Sequence, residues 1–377
     1  MYKKKVVFAV GDLRMGGTQR VQSIIANELY LKDYNIKFFS LRKVKSYFKL
    51  LPEVVYPKGA VGIFKFIFIL CLTGFKKFIL RKTVDMMVVP SKAIIDELIV
   101  YVRENDVKTV VLVEQWLLAA DRVKKSLPKV KVIGWIHLDI DIYESFHFAK
   151  SVDKLKEGFK RCDYLVALTH EDKEKLKKYR KNKVLVFHNP LTMDNKGQKS
   201  DLSKKVISFV GRIDINHKGL DYLIDIAKKI DNDWKIHLAG IGLKHEEFKF
   251  KKMIKDNQLQ EKIIWQGSKK GEELVQHYLN SSIFISLSRF EGFPLVFGEA
   301  MLFGLPVIAF ANSGSREVTD NGRYGVLIEQ GNVDEFCECL KLFMNSKEKQ
   351  EKYQQLSLER AKSLNLENII DQWEEII

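Results

Sequence analysis

Two acids and two bases stand in loops that follow strand-like runs, where a folded α/β chain would bring them together. Glu291 and Glu299 lie eight residues apart in SRFEGFPLVFGEAMLFGLPVIA (288–309). The run IFISL predicts a strand, the next loop carries Glu291, Gly292 and Phe293, and Pro294 opens a helix reaching Gly304. Proline in the first turn and glycine past the last fit the asymmetry of helix ends. The free N–H groups of the helix start that follows Pro294, with the positive end of the helix dipole, suit a phosphate. Glu299, about a turn inside, has the group that accepts both hydroxyls of a ribose diol. Taken alone, though, these acids read better as a loop carboxylate and a helix ion-pair partner. Upstream, VGRIDINHKG (210–219) places Arg212 and Lys218 in one short loop, enough positive charge for a diphosphate. The plain alternative is two surface cations in a lysine-rich chain. LAGIG (238–242) offers Gly240 and Gly242 for close backbone approach to a base or ribose, and GDLRMGGTQRV (11–21) offers Gly16 and Gly17 before a helix. Neither glycine pattern is a dinucleotide fingerprint or a phosphate-loop motif.

Something must hold these loops on one edge. Continuous β-branched runs alternate with helical patterns: 5–10, 36–41, 109–113, 130–136, 163–168 and 183–187, then 206–210, 235–239, 262–266, 283–287, 306–310 and 325–328. Unbroken apolar runs fit parallel strands covered on both faces. Their alternation with helices predicts an α/β fold of doubly wound sheets. Twelve strands are too many for one such sheet. The polar stretch 194–205 divides them six and six, into an N-terminal Rossmann-like domain over 1–193 and a C-terminal one over 194–360. The amphipathic end, 361–377, predicts a helix packing back across the boundary. Two facing Rossmann-like sheets would hold a ligand in the cleft between their strand ends.

The 377 residues carry 63 Lys and Arg against 48 Asp and Glu, a net +15, and are 46% hydrophobic. That composition excludes a disordered or disulfide-built chain and directs attention to polyanionic partners. Cys71, Cys162, Cys337 and Cys339 are scattered and read as reduced thiols, so the chain reads as cytoplasmic. His170 belongs to a helix start in which Thr169 and Asp172 form the cap. No set of residues has metal-ligand spacing. Between Leu41 and Lys82, ten basic residues face one acid, Glu53, around the apolar run 61–75. Its longest uncharged stretch is ten residues, whereas a spanning helix needs about 20. The segment suits a helix lying on an anionic membrane surface, or a buried helix with lysines reaching out at its ends.

With VGRID…HKG upstream and the N-terminal GG, the E-x7-E block EGFPLVFGE resembles the retaining GT-B glycosyltransferases of family four. The resemblance implies a nucleotide diphosphosugar donor, UDP favoured, and no resident cofactor, with Mg²⁺ an optional companion of the nucleotide. It implies that Arg212 and Lys218 hold the diphosphate, Glu299 the ribose, and Glu291 with the backbone of Gly292, Phe293, Pro294 and Leu295 the transferred sugar. Gly16 and Gly17 would lie against the donor phosphates, and His137, in WIHLD, against the sugar. The acceptor would be a saccharide, a lipid-linked sugar or a teichoic-acid-type polymer in surface polysaccharide synthesis. Thr18 and Gln19 depart from the family's usual Ala-Glu, and 42–85 carries no family motif. A sugar-nucleotide 2-epimerase and an inactive scaffold of the same fold are the rivals. A nucleic-acid binder would also use the charge, but no zinc finger, aromatic RNA-binding motif or base-stacking basic helix is present.

Overall fold

The computed structural model describes residues 4–60 and 85–377. They form two compact units, Met1–Asn189 with Glu367–Ile377, and Pro190–Leu366. Each is a doubly wound parallel sheet with helices packed on it, a Rossmann-like domain.

The first unit contains β1 (Lys5–Val10), β2 (Asn35–Ser40), β3 (Glu53–Val55), β4 (Thr109–Val113), β5 (Lys131–Trp135), β6 (Tyr164–Ala167) and β7 (Val184–Val186). They pair in the order β3-β2-β1-β4-β5-β6-β7, all parallel. The second contains β8 (Val206–Val210), β9 (Lys235–Ala239), β10 (Ile263–Trp265), β11 (Ile283–Ser286), β12 (Val307–Phe310) and β13 (Val326–Ile328), ordered β10-β9-β8-β11-β12-β13. Among the described residues the strand count is thirteen rather than the expected twelve. The extra one, β3, is three residues long and too brief to register as an apolar run.

The central strands read as unbroken Val, Ile, Leu and Phe because both of their faces are covered. Val110, Val111, Leu112 and Val113 in β4 and all four residues of β12, Val307–Phe310, are fully buried. With no solvent face there is no alternation to read.

The units divide before the position expected from composition. Segment 194–205 is polar but hydrogen-bonded into the second unit: Asn195 Nδ2 donates to Leu302 O (2.8 Å) and Ser200 N to Phe303 O (2.8 Å). The boundary therefore falls at Asn189–Pro190. The C-terminal stretch 361–377 is likewise not one element. Helix Lys347–Ser363 ends inside the second unit, where Leu364 O accepts from Leu191 N (2.9 Å). A separate helix, Leu366–Ile376, gives its apolar face to the first unit. There Trp373, fully buried, meets the rings of Phe8, Trp135 and Phe187, and Lys4 Nζ donates to the backbone oxygen of Ile377 (2.7 Å).

Residues 61–84, and with them most of the basic-apolar segment, lie outside the described residues. Among the described residues no helix is long and apolar enough to cross a membrane.

Because three aromatic neighbours converge on Trp373, Trp373→Ala is expected to destabilise the protein by roughly 3–5 kcal/mol. Urea unfolding of the full chain, monitored by circular dichroism, measures this; a loss below about 1 kcal/mol would mean that the helix merely rests on the sheet.

Candidate functional site

In the second unit β8 and β11 are neighbours, and the chain leaves them toward opposite sides of the sheet. Open parallel sheets bind ligands outside the carboxyl ends of their strands at such a switch point. The two loops there are joined by a row of contacts. Arg289 N donates to His217 O (2.9 Å), Arg289 Nη1 to Asn216 O (2.6 Å), and His217 Nε2 lies 2.9 Å from Phe290 O. Lys218 Nζ then meets Glu291 Oε1 at 2.5 Å. The Arg289 guanidinium also grips Asp221 with both terminal nitrogens (3.0 and 2.6 Å) and lies over the Tyr222 ring.

Lys218 does not sit in an open loop. It ends a single helical turn, Ile215–Lys218, which Asp214 caps by accepting from His217 N (3.0 Å). Gly219 closes the turn at φ +67°, and a Cβ there would lie 2.2 Å from Leu287 O, so the position requires glycine. The His217 ring stacks on Phe290 at 4.1 Å. Its Nε2 faces a carbonyl and must carry the proton, which leaves Nδ1 to accept from Arg212 Nη2 at 3.3 Å. Burial, then Lys218, holds the ring below its ordinary pKa, consistent with that neutral tautomer. Burial pushes the Glu291 carboxyl up, but Lys218, His217 and the Ser288 hydroxyl outweigh it and hold the group below its usual range. Arg212 also reaches Asp214 Oδ2 (3.2 Å), with 61% of its side chain still exposed.

Helix Leu295–Leu302 follows. Pro294 takes the N-cap position with ψ 117°, one residue earlier than expected, and no side chain caps the helix. Gly304, at φ +73°, stands just past its end. Phe293 is buried beside this turn. Gly314 lets a neighbouring helix, Ser313–Val318, approach closely, because a Cβ there would come within 2.7 Å of Gly292 O. Asn312 Nδ2 fixes the loop from that side by donating to Ser288 O (3.0 Å). Glu299 is buried, and its carboxylate accepts from Tyr278 OH (3.0 Å) and Thr192 OH (3.3 Å).

The structure shows why Gly240 and Gly242 carry no side chain. A Cβ on Gly240 would lie 1.8 Å from Gly211 O, and one on Gly242 2.1 Å from Ile213 O. Gly211 N and Ile213 N donate to Ala239 O and Ile241 O, so these glycines let the loop after β9 close onto the loop carrying Arg212.

The first unit has its switch point between β1 and β4. After β1, Asp12 is buried and paired with Arg42 Nη1 (2.5 Å) and Arg14 Nη2 (3.1 Å). Arg42, counted above in the basic surface segment, is thus largely withdrawn from solvent. The helix Gly17–Leu31 starts at Gly16 with no side-chain cap. After β4, Glu114 stands at φ +51°, a left-handed conformation seldom taken by a residue with a side chain. Burial, then the Asp12 charge, pushes its pKa up to about 7 against the pull of Arg42. After β5, His137 is 6% exposed, lies 4.2 Å from the Trp135 ring, and has no hydrogen-bond partner on either ring nitrogen among the described residues. Burial pushes its pKa down to about 3 and keeps it neutral.

Residues 192–359, nearly all of the second unit, match the family described as glycosyl transferases group 1. An uncharacterized glycosyltransferase of Haemophilus influenzae is 26% identical over 99% of this chain and 100% of its own length. The amylovoran biosynthesis glycosyltransferase AmsD of Erwinia amylovora is 23% identical over the whole of both chains. The second unit is a glycosyl transferases group 1 domain, and the chain is a glycosyltransferase of the GT-B fold. Its fold is also that of Anabaena HepE, solved in complex with UDP, with a TM-score of 0.77 at 16% identity over 98% of each chain.

Within this glycosyltransferase, sequence reasoning missed His217, Arg289, Asp12, Arg42 and Glu114. Arg289 lies in the SRFEG stretch, and Asp12 directly after β1, so adjacency to a strand end was the available signal. Arg42 and Glu114 carry no motif.

The fold favours the protonated form of Glu114, so its cost appears as pH rises above the ordinary value of 4.5 and is full above about 7. Glu114→Gln keeps the shape without the charge. Its melting temperature is expected to exceed the parent's at about pH 8 and to equal it at about pH 4. Differential scanning calorimetry at the two pH values tests this; equal differences at both would refute a half-buried, titrating carboxyl.

Proposed function

We propose that this glycosyltransferase moves a hexose or N-acetylhexosamine, with retention, from a UDP-sugar to a hydroxyl of a saccharide, lipid-linked or teichoic-acid-type acceptor in surface polysaccharide synthesis. The observation that carries the reading is the Lys218–Glu291 pair at the switch point, beside the uncapped helix start at Pro294 and the exposed Arg212 guanidinium. In this reading the bond between the anomeric carbon and the diphosphate oxygen breaks, the acceptor oxygen bonds to the same face, and its proton passes to the leaving phosphate. The barrier lies in the charge growing on the diphosphate. Arg212, Lys218 and the free N–H groups of the helix start from Leu295 onward would oppose that charge, the electrostatic contribution that is usually largest.

Glu291 keeps Lys218 in place and turns its second oxygen to sugar hydroxyls, beside the backbone of Gly292, Phe293 and Pro294. Glu299 receives the ribose diol in exchange for its longer contact, to Thr192. Gly240 shapes the Arg212 loop and would offer its backbone to the nucleotide. From the first unit, Gly16 and Gly17 offer backbone N–H groups to the donor phosphates. His137, neutral and with no partner on its ring nitrogens among the described residues, takes a sugar hydroxyl. UDP is favoured by the nucleotide in HepE, and a polysaccharide acceptor by the amylovoran relative. No resident cofactor enters the scheme, and Mg²⁺ would accompany only the nucleotide. Anionic lipid contact through 41–82 would bring a lipid-linked acceptor within reach at the inner face of the cell membrane.

A thermal-shift panel of UDP-, GDP-, ADP- and CDP-sugars tests the donor assignment. At about 100 times its Kd a ligand adds about 2.7 kcal/mol of stability. UDP-sugars are expected to raise the melting temperature of the parent, and Arg212→Ala and Lys218→Ala to abolish the rise. Turnover in both variants is expected to fall at least about a hundredfold, the scale for one electrostatic donor. A flat panel would favour the inactive scaffold, and NMR of the product's anomeric proton checks retention.

A further inference from the structure

Helix Lys244–Asp256 of the second unit presents an unusual outer face. Its core side is ordinary, with Phe250 and Ile254 buried. On the opposite side, residues four and seven apart share one stripe. That stripe holds Lys244, Phe248, Lys251, Lys252 and Lys255, all exposed. Phe248 is 71% exposed and Leu243, at the helix start, 65%. Ile241, in the preceding loop, is exposed as well.

Two of the helix's three acids are turned away from the stripe, and the third, Asp256, stands at its last residue. Glu246 Oε2 accepts from Ile215 N (2.9 Å) and Glu247 Oε1 from Gly242 N (2.9 Å), each fixing a loop of the sheet edge. What remains outside is an aromatic ring and a leucine framed by four ammonium groups. An aqueous surface gains nothing from such a face. An anionic lipid interface rewards both parts, since rings enter the headgroup boundary while lysines pair with phosphates.

We propose that the Leu243–Lys255 face is a docking surface for an anionic membrane. It belongs to the second unit and is separate from segment 41–82. Each lysine near a lipid surface contributes about fivefold in partition, so removing two together with the ring should cost well over tenfold.

The experiment is flotation of the full-length protein with vesicles of equal parts phosphatidylcholine and phosphatidylglycerol, against vesicles of phosphatidylcholine alone. The parent should float with the anionic vesicles only, and less so as salt rises. Phe248→Ser combined with Lys252→Glu and Lys255→Glu should lower binding more than tenfold. The charge-matched pair Lys129→Glu and Lys154→Glu should leave it within about twofold. The UDP-sugar thermal shift, read separately in the same variants, tracks the donor assignment and is expected to stay unchanged. Undiminished flotation of the triple variant would overturn the proposal. So would a change from dimer to monomer in light scattering with flotation intact, which would assign the face to a second copy of the chain.

Discussion

Everything at the donor-side switch point depends on the chain segment 216–218 being held against 289–291. Three backbone carbonyls, one backbone N–H, one guanidinium, one imidazole and one ion pair make that seam. Lys218 and Glu291 are both mostly withdrawn from water, so each would be costly alone, and removal of either leaves the other uncompensated. The pair therefore acts as a constraint on geometry more than as a source of stability. It requires the helical turn Ile215–Lys218 to end at one place, and this in turn requires Gly219. His217 extends the constraint outward, because its ring can satisfy Phe290 O and Arg212 together only as the neutral Nε2–H tautomer.

The first unit solves the same problem with the charges rearranged. At its switch point the carboxylate comes from the loop after β1 and the guanidinium from the loop after β2, with Asp12 held between Arg42 and Arg14. Glu114 is then placed in a left-handed backbone next to this cluster. A residue kept in that conformation costs on the order of 1–3 kcal/mol, which the surrounding fold must supply. In both sheets, then, the carboxyl edge at the switch point carries charged side chains fixed by opposite charges, while the strands behind are mostly apolar. That division is what lets one edge of an otherwise inert sheet address a charged, hydroxyl-rich molecule.

The architecture was legible because two-faced burial writes itself as unbroken Val-Ile-Leu runs; six strands of each sheet could be placed without coordinates. The E-x7-E block, Arg212 and Lys218 were legible because the loops carrying them follow those runs directly. The rest failed for identifiable reasons. Segment 194–205 has the composition of a linker, but composition does not report that Asn195 and Ser200 are bonded to Leu302 and Phe303. Gly240 and Gly242 look the same in sequence whether a ligand or a neighbouring backbone fills the space beside them. Arg42 and Asp12 are thirty residues apart, and only the pairing of β1 with β2 makes them neighbours. His217 had an HKG context pointing at Lys218, so the histidine was read past.

The net charge needs the same discrimination. A total of +15 suggests a diffuse preference for polyanions, yet the basic residues do different work in different places. Arg42, Lys218 and Arg289 are held by carboxylates at or beside the strand edges and contribute little to the outer field. Many exposed lysines form short-range surface pairs, such as Lys125 with Asp121 and Lys177 with Glu174, which are worth little and are screened by salt. What survives this sorting is local. Arg212 is an exposed guanidinium at a switch point, oriented by Asp214 and His217, and suits a compact dianion. The lysines of helix Lys244–Asp256 are spread along a stripe around an exposed ring, and suit a surface rather than a single phosphate. Charge that is focused and charge that is spread select different partners, and this chain carries both within one domain.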